Sequence, residues 1–284
     1  MAMTAPSQLP SFSDPPVTEV VVSVQFDPLP ALDVVRLGLM WERFQNKYPA
    51  VAQKAPLAPV IERLGVRRPI DHVQIEFQQE LVVPRLWFVS EQGNDLLQVQ
   101  SDRFIRNWRR VKSQSVPYPR YQDYVRPQFL EDYQTFLKFL TEQGVDGLPV
   151  VQCELAYINN IFPGGIWESH ADIASVFSFW DSESCANFSH PLEAVNIQMT
   201  QQLKDSKDEF LGRLHVSIQS VFTVDEGSGK EIPAFRMTLT ARGQPTGAGT
   251  DGIAGFLDLG RNAIVTYFAK LTTTQMHKAW GRIS

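Results

Sequence analysis

The chain has 284 residues, of which 43% are hydrophobic and 20% are charged, and its formal net charge is -5 at pH 7. This length fits one large domain or two of ordinary size, and the composition excludes a disordered or fibrous protein. No run approaches the roughly 18 consecutive apolar residues of a membrane span, so we expect a cytoplasmic protein without a membrane partner. Two cysteines, Cys153 and Cys185, are too few for a disulfide framework or a four-thiolate zinc site.

The chain begins with a tail, which is followed by a strand and then a helix. Residues 1–16 are rich in proline and serine and have no apolar periodicity, which predicts a disordered tail. Alternating apolar side chains over residues 18–26 predict a half-buried strand. Apolar residues at helical spacing over residues 31–48 predict an amphipathic helix, which Pro49 ends.

Strand patterns continue to the middle of the chain. Three runs are predicted to be strands, at residues 72–78, 85–91 and 96–110. A Gly-Asn-Asp turn that tolerates positive φ separates the last two, which predicts a hairpin. Apolar residues at helical spacing over residues 125–140 then predict a second helix, which Gly144 ends.

The second half of the chain repeats this order after a boundary at residues 146–149. A strand at residues 150–162 and a short helix at 168–180 come first. The remaining elements are strands at residues 192–203, 213–224 and 232–242, a hairpin loop at 225–230, and a helix at 253–279. The halves, residues 17–146 and 150–284, share the order strand, helix, three strands, helix without a detectable sequence repeat, and we expect them to pack as one unit.

The order of elements predicts an α+β fold in which helices cover one face of an antiparallel sheet. The opposite face is left to water or a ligand. At fold level the layout, with two pseudo-repeats, is similar to the TATA-binding-protein-like and helix-grip folds. Such a similarity indicates architecture and does not indicate function.

Five short motifs give the chain a resemblance to a protein family. They are PPVTEVVVSVQF at residues 15–26, FVSEQG at 88–93, PYPRY at 117–121, YINNI at 157–161 and MHKAWG at 276–281. In this order they resemble an uncharacterised, sporadically distributed family of bacterial proteins of about this length. The resemblance implies a bacterial cytosolic setting among mobile or defence-associated genes, and it implies no catalytic residue, cofactor or substrate.

Residues 103–126 form a basic segment in an otherwise acidic chain. The segment holds seven basic residues against Asp123, a net charge of +6 that leaves -11 for the remainder. Aromatic residues are interleaved with these charges, and guanidinium groups beside aromatic rings suit single-stranded nucleic acid or an acidic protein surface. The candidate partner-binding residues are Arg103, Arg106, Trp108, Arg109, Arg110, Lys112, Arg120 and Arg126.

Two interpretations of the basic segment stay open. Arg106, Trp108 and Arg110 point the same way from a strand and would form one compact exposed patch. Alternatively, the arginines only protect an edge strand from aggregation while the aromatic residues enter the core. For a binding surface, the negative net charge of the chain favours a protein partner over nucleic acid.

Motifs for metal, nucleophile and phosphate chemistry are weak. Plausible metal-ligand types stand at Glu168, His170, Asp172, Cys185 and His190. Their spacing matches no familiar zinc motif, so we expect no metal, and we expect no cofactor either. Single histidines such as His72, His215 and His277 are more often packed or exposed than catalytic.

Residues 247–252 match Gly-x-Gly-x-x-Gly before a helix, a context for anion binding, although a flexible connector is the simpler interpretation.

The sequence therefore favours a non-enzymatic binding protein that engages a macromolecular partner through the basic segment, in a toxin or defence setting. The alternative is a small-ligand sensor or an enzyme with a cavity between the sheet and the long helices. Exposed arginines and a filled core would favour the first hypothesis, whereas a large cavity with convergent polar groups would favour the second.

Overall fold

A computed structural model of the chain describes residues 9–62, 83–111, 116–181, 190–205, 207–224 and 229–284. Its strands are β1 Val17–Phe26, β2 Ala50–Lys54, β3 Arg85–Val89, β4 Asp95–Gln100, β5 Arg103–Arg109, β6 Val150–Ile161, β7 Asn196–Lys204, β8 Phe210–Val224 and β9 Glu231–Gly243. Its α-helices are α1 Val34–Phe44, α2 Arg126–Glu142, α3 Ile173–Val176, α4 Gly249–Leu271 and α5 Thr274–Ala279. A π-helical turn, Tyr121–Val125, precedes α2, and a 3-10 turn, His170–Asp172, precedes α3.

The strands form one sheet in the order β2-β3-β4-β5-β1-β6-β9-β8-β7, and neighbouring strands are antiparallel throughout. β1 and β6 are adjacent, with Val22 opposite Leu155. Outward from this pair, the first half continues with β5, β4, β3 and β2, and the second with β9, β8 and β7. One antiparallel sheet thus spans both halves of the chain, and the prediction of an α+β fold is confirmed.

The two faces of the sheet differ in chemistry because successive side chains of a strand point in opposite directions. On one face, apolar side chains such as Val22, Leu155 and Leu239 are buried, and α4 contacts β6, β8 and β9. Phe104 of β5 stacks on Phe136 of α2 on the same side, with ring centroids 4.8 Å apart. The opposite face carries mainly polar side chains, and we call it the polar face.

The first helix is shorter than its apolar pattern predicted. Asp33 has extended backbone, and its Oδ1 accepts a hydrogen bond from the backbone N–H of Arg36 at 2.8 Å, so α1 begins at Val34. Leu37 and Phe44 are buried on its inner side. The helix therefore buries the predicted stripe, while capping sets its start.

Other element boundaries differ from the predictions for local reasons. The run at 96–110 is two strands, because a turn at Ser101 and Asp102 divides it. The predicted C-terminal helix is α4 and α5, because Thr272 and Thr273 have extended backbone and Thr273 caps α5. The predicted strand at 72–78 lies outside the described residues.

In the described part of the chain, no helix combines the length and the apolar character that crossing a membrane requires.

Residues 9–16 pack against the C-terminal helices, so the predicted disorder of the tail is wrong for them. Phe12 is 5% exposed and meets the rings of Phe268 and Trp280 edge to face. The backbone N–H of Ser13 donates to the carbonyl of Gly281 at 2.9 Å. One buried aromatic residue in an irregular segment leaves no periodic pattern, which explains the wrong prediction. Residues 1–8 lie outside the described part of the chain.

Candidate functional site

The structure distributes the basic segment over both faces of β5 and into the loops. Arg106 and Trp108 point to the helix-covered face, where both are buried. Arg103 points to the polar face. The expectation that these residues form one compact exposed patch is therefore wrong. Lys112 lies outside the described residues.

Arg106 lies in a buried charge network between β5 and α2. Its side chain is 0% exposed, its Nη2 contacts the carboxylate of Asp95, and its Nε donates to Asp132 Oδ2 at 3.1 Å. Asp132 also accepts hydrogen bonds from Tyr48 and Lys47, each at 2.6 Å. Burial alone lowers the pKa of Arg106, but Tyr48 and the two carboxylates outweigh it and hold the pKa above its usual value. The guanidinium thus stays charged and joins a strand to a helix.

The remaining arginines of the basic segment contact three other parts of the chain, namely the β3–β4 turn, residues 9–16 and α4. The pairs are Arg109 Nε with the Gly93 carbonyl at 2.8 Å, Arg110 with Asp14 at 3.7 Å, Arg120 with Ser11 at 3.1 Å and Arg126 with Asp258 at 3.0 Å. Arg110 and Arg120 thus hold residues 9–16, while Arg109 and Arg126 hold the β3–β4 turn and α4. They do not converge on a common surface.

Buried polar side chains concentrate on the polar face. They are Ser23, Gln25, Gln98, Gln100, Arg103, Asn107 and Gln152, each at most 6% exposed. These residues lie on the neighbouring strands β4, β5, β1 and β6. Burying a polar group costs free energy unless it is hydrogen bonded, so a polar layer of this kind requires partners. A glutamine amide offers a donor and an acceptor together, which matches a backbone peptide group.

Residues 57–62 cross the polar face, and we call them the strap. The hydrogen bonds are Leu57 N–H to Gln100 Oε1 at 2.9 Å, Gln100 Nε2 to Leu57 O at 3.0 Å, Arg103 Nη2 to Ala58 O at 3.1 Å, Gln152 Nε2 to Val60 O at 2.7 Å, Gln25 Nε2 to Val60 O at 3.3 Å and Glu62 N–H to Gln152 Oε1 at 2.7 Å. All six use the strap's backbone. The polar face therefore binds the strap through its main chain.

Glu62 ends the strap among cationic side chains of β8 and β9. Its carboxylate accepts hydrogen bonds from Arg213 Nη1 at 2.7 Å and His215 Nε2 at 2.5 Å, and Arg242 Nη1 lies 3.7 Å away. The Glu62 side chain is 5% exposed. Burial raises its pKa, but the hydrogen bonds from His215 and Arg213 and the charge of Arg242 outweigh burial and lower the pKa to about 2. Arg242 also donates to Glu154 at 2.6 Å.

Strand register brings this cluster together. Arg213 lies opposite Arg242 in the β8–β9 pair, and His215 follows two residues later on the same face. Sequence reasoning missed the cluster because its members are far apart in the chain, and His215 stands alone there. The one local signal is the spacing of Pro56 and Pro59, which favours an extended segment before the acidic residue.

The candidate metal ligands serve local structure. His170 Nε2 lies 3.1 Å from the Ala234 carbonyl, and Asp172 caps the turn by accepting from the backbone N–H of Ser169 at 2.9 Å. Cys185 lies outside the described residues. Within the ranges that the structure describes, no group of three or more His, Cys, Asp or Glu side chains is arranged to hold a metal ion.

Cavities on the helix side bear on the small-ligand hypothesis. One of about 50 Å³ lies between the tail and α4 beside Tyr157, and a cleft of about 480 Å³ lies between α2 and the start of α4. The glycine motif at residues 247–252 borders this cleft. A Cβ on Gly252 would lie 1.9 Å from the carbonyl oxygen of Gly247. The glycines thus allow the connector to pack closely on the helix.

No protein-family model, no curated protein and no solved structure matches the chain. The polar face itself shows two chemical capabilities. Its glutamine amides and Arg103 bind a main chain, and Arg213, His215 and Arg242 bind a carboxylate. Together they suit an extended segment that ends in an acidic residue.

Proposed function

We propose that the protein is a non-enzymatic binding protein that engages a macromolecular partner through its polar face. The six hydrogen bonds between this face and the backbone of the strap carry the proposal. A face that binds one extended segment through its main chain has the chemistry to bind another. Arg103, a member of the basic segment, belongs to this set.

A protein partner fits the charges of the face better than nucleic acid. Cations on the face already neighbour carboxylates, as Arg103 does with Asp102 and Arg242 with Glu154. Nucleic acid affinity depends on cations that neutralise successive phosphates, whereas an extended protein segment needs donors and acceptors for its backbone. The family resemblance adds the proposal that this partner is a toxin or defence effector of a bacterial cell.

A duplicated, TATA-binding-protein-like layout is part of the same proposal. Outward from β1 and from β6, the strands of each half follow in reverse chain order, which supports a duplicated unit, and β2 is an additional strand at the edge of the first half. Helices on one side of such a sheet leave the other side for a partner. The layout thus suits the proposed use of the polar face, although architecture alone does not define function.

A small-ligand sensor or an enzyme is the second candidate. The cleft of about 480 Å³ between α2 and α4 favours it, since this volume accommodates a small molecule. Its lining includes the apolar side chains of Leu137, Leu140 and Ile253. A ligand bound there would be insensitive to substitutions on the polar face, which separates the two candidates.

Affinity capture from the native host, followed by binding with purified components, tests the proposed function. Thr238→Arg places a bulky cation on the polar face opposite Ser217, two residues along β9 from Thr240, which lies opposite His215. Gln128→Arg in α2, at a position that is half-buried as Thr238 is, is the matched control. We expect a partner that binds the wild type and Gln128→Arg with equal affinity and binds Thr238→Arg at least about tenfold more weakly. Equal affinity for all three proteins would contradict the proposal.

A further inference from the structure

We infer that the strap is an internal ligand of the polar face, and that the partner contributes an extended acidic segment that takes its place. The inference rests on the proposed function and specifies the chemistry of the partner. A stretch of extended main chain would replace the backbone contacts of the strap. An aspartate or glutamate side chain of the partner would replace Glu62 between Arg213, His215 and Arg242.

The apolar side chains of the strap are only partly buried. Leu57, Val60 and Ile61 are 38%, 40% and 55% exposed, so each keeps a substantial part of its surface in contact with water. Apolar burial stabilises a contact by about 25 cal/mol per Å² removed from water, and the strap obtains only part of this stabilisation. Its attachment depends on backbone hydrogen bonds and on the Glu62 carboxylate. Another segment can reproduce both without sharing the sequence of the strap.

The geometry of the crossing selects an extended chain. The strap runs from Gln100 on β4 to His215 on β8, across five strand spacings or about 24 Å. Six residues reach about 20 Å when fully extended, and the Glu62 side chain covers the remainder. Pro56 and Pro59 favour this conformation because each proline fixes its own φ and restricts the preceding residue to extended backbone. The partner segment is accordingly an extended stretch of about the same length.

The carboxylate position selects acidic over neutral residues. Glu62 receives charge-assisted hydrogen bonds from Arg213 and His215 in a site where it is 5% exposed. Charge-assisted hydrogen bonds are roughly twice as strong as neutral ones, and an amide at the same position offers a single neutral acceptor. Glutamine would therefore be a much poorer occupant than glutamate.

The test uses a fluorescein-labelled peptide with the sequence APLAPVIE, residues 55–62, and measures its anisotropy. The full-length proteins are the wild type, Glu62→Gln and Leu57→Pro. Both substitutions alter the strap alone: the first removes its carboxylate, and the second removes the N–H that donates to Gln100. A tethered strap competes at an effective concentration in the millimolar range, so the wild type should bind the peptide weakly.

We expect the peptide to bind both strap variants at least about tenfold more tightly than the wild type. A peptide with glutamine in the last position should bind the Leu57→Pro variant at least about tenfold more weakly. Equal affinity of the wild type and the variants, no binding to any of them, or equal affinity of the two peptides would overturn the inference. Tighter binding of a labelled oligothymidylate than of the peptide would also overturn it.

A thermal melt shows whether each variant is folded. If Glu62→Gln is unfolded, the peptide affinity of Leu57→Pro, which keeps the carboxylate in its site, tests the inference. The captured partner separates this inference from the proposed function. A partner that is lost on Thr238→Arg but binds wild type and strap variants equally would leave the polar face as the binding surface and refute the internal ligand.

Discussion

The carboxylate of Glu62 accepts a hydrogen bond from Arg213 Nη1 at 2.7 Å, although the two residues are 151 positions apart in the chain. The contact joins the strap, which follows β2, to β8 in the second half. His215 contacts the other carboxylate oxygen, so the end of the strap is held from two positions of one strand. Gln152 of β6 already binds the strap backbone, and Glu62 extends this attachment to the outer strands of the second half.

The Glu62 contact predicts a dependence of stability on pH. Its pKa is lowered from 4.5 to about 2 in the folded protein, mainly by hydrogen bonds from His215 and Arg213 that outweigh burial. A carboxyl with a lowered pKa stabilises the fold above its unfolded pKa, and this contribution is lost as the pH falls through the folded pKa. We therefore expect the difference in unfolding free energy between wild type and Glu62→Gln to shrink between pH 4.5 and 2. Urea unfolding followed by circular dichroism measures this difference, and a constant difference across that window would contradict the assignment.

Arg106 predicts a large effect on stability. Arg106→Met removes the cation that Asp95 and Asp132 share and leaves Asp132 with the Lys47 cation alone, so we expect the unfolding free energy to fall by about 3–5 kcal/mol. Arg43→Met is the control, because Arg43 pairs with Glu142 on the surface and its side chain is 53% exposed. The control should lose less than about 1 kcal/mol in the same denaturant experiment. Comparable losses in the two variants would mean that the Arg106 network does not stabilise the fold.

The docked part of the tail predicts a second stability effect. Phe12→Ala removes an aromatic ring that packs against Phe268 and Trp280, and we expect a loss of about 3 kcal/mol. Ile283→Ala, at a position that is 65% exposed, should change stability by less than about 0.5 kcal/mol. Thermal or denaturant unfolding compares the stability of the two variants with that of the wild type. A Phe12→Ala variant as stable as the wild type would show that residues 9–16 are dispensable.

The two glycines Gly252 and Gly38 predict opposite effects of the same substitution. Gly252→Ala would place a Cβ 1.9 Å from the Gly247 carbonyl oxygen, so α4 must shift and stability should fall. Gly38→Ala in α1 meets nothing within 4 Å, and it should raise the unfolding free energy by about 0.5–1 kcal/mol, since alanine favours helix. Thermal melts of the two variants beside the wild type show whether each substitution raises or lowers stability. Stabilisation by Gly252→Ala would show that the connector does not need the close approach.

Sequence patterns predicted the parts of the fold that rest on local periodicity. The alternation in β1 and the helical stripe containing Leu37 and Phe44 are properties of neighbouring residues, and the structure has a strand and a helix at these places. The strand was predicted to be half-buried, but Ser23 and Gln25 on its polar side are buried as well. The burial of Arg106 depends on Asp132, which lies 26 residues away on another element, so no local pattern indicates it. A run of arginines beside aromatic residues therefore resembled an exposed patch.

The candidate site was beyond sequence reasoning for the same physical reason. Glu62, His215 and Arg242 become neighbours only after β8 and β9 pair and the strap crosses the sheet. Glutamines such as Gln100 and Gln152 resemble solvent-facing strand residues in the sequence. Their burial becomes evident only with the segment that they bind.

Hydrogen exchange at the strap amides tests the central claim most directly. In ¹⁵N-labelled wild-type protein, the N–H groups of Leu57 and Glu62 donate to glutamine side chains of the polar face. We predict that a saturating concentration of the unlabelled acidic peptide accelerates exchange at both amides at least about tenfold, while the amide of Val22 in the centre of the sheet is unchanged. Unchanged or slower exchange at Leu57 and Glu62, with the peptide bound, would contradict an internal ligand that a partner displaces.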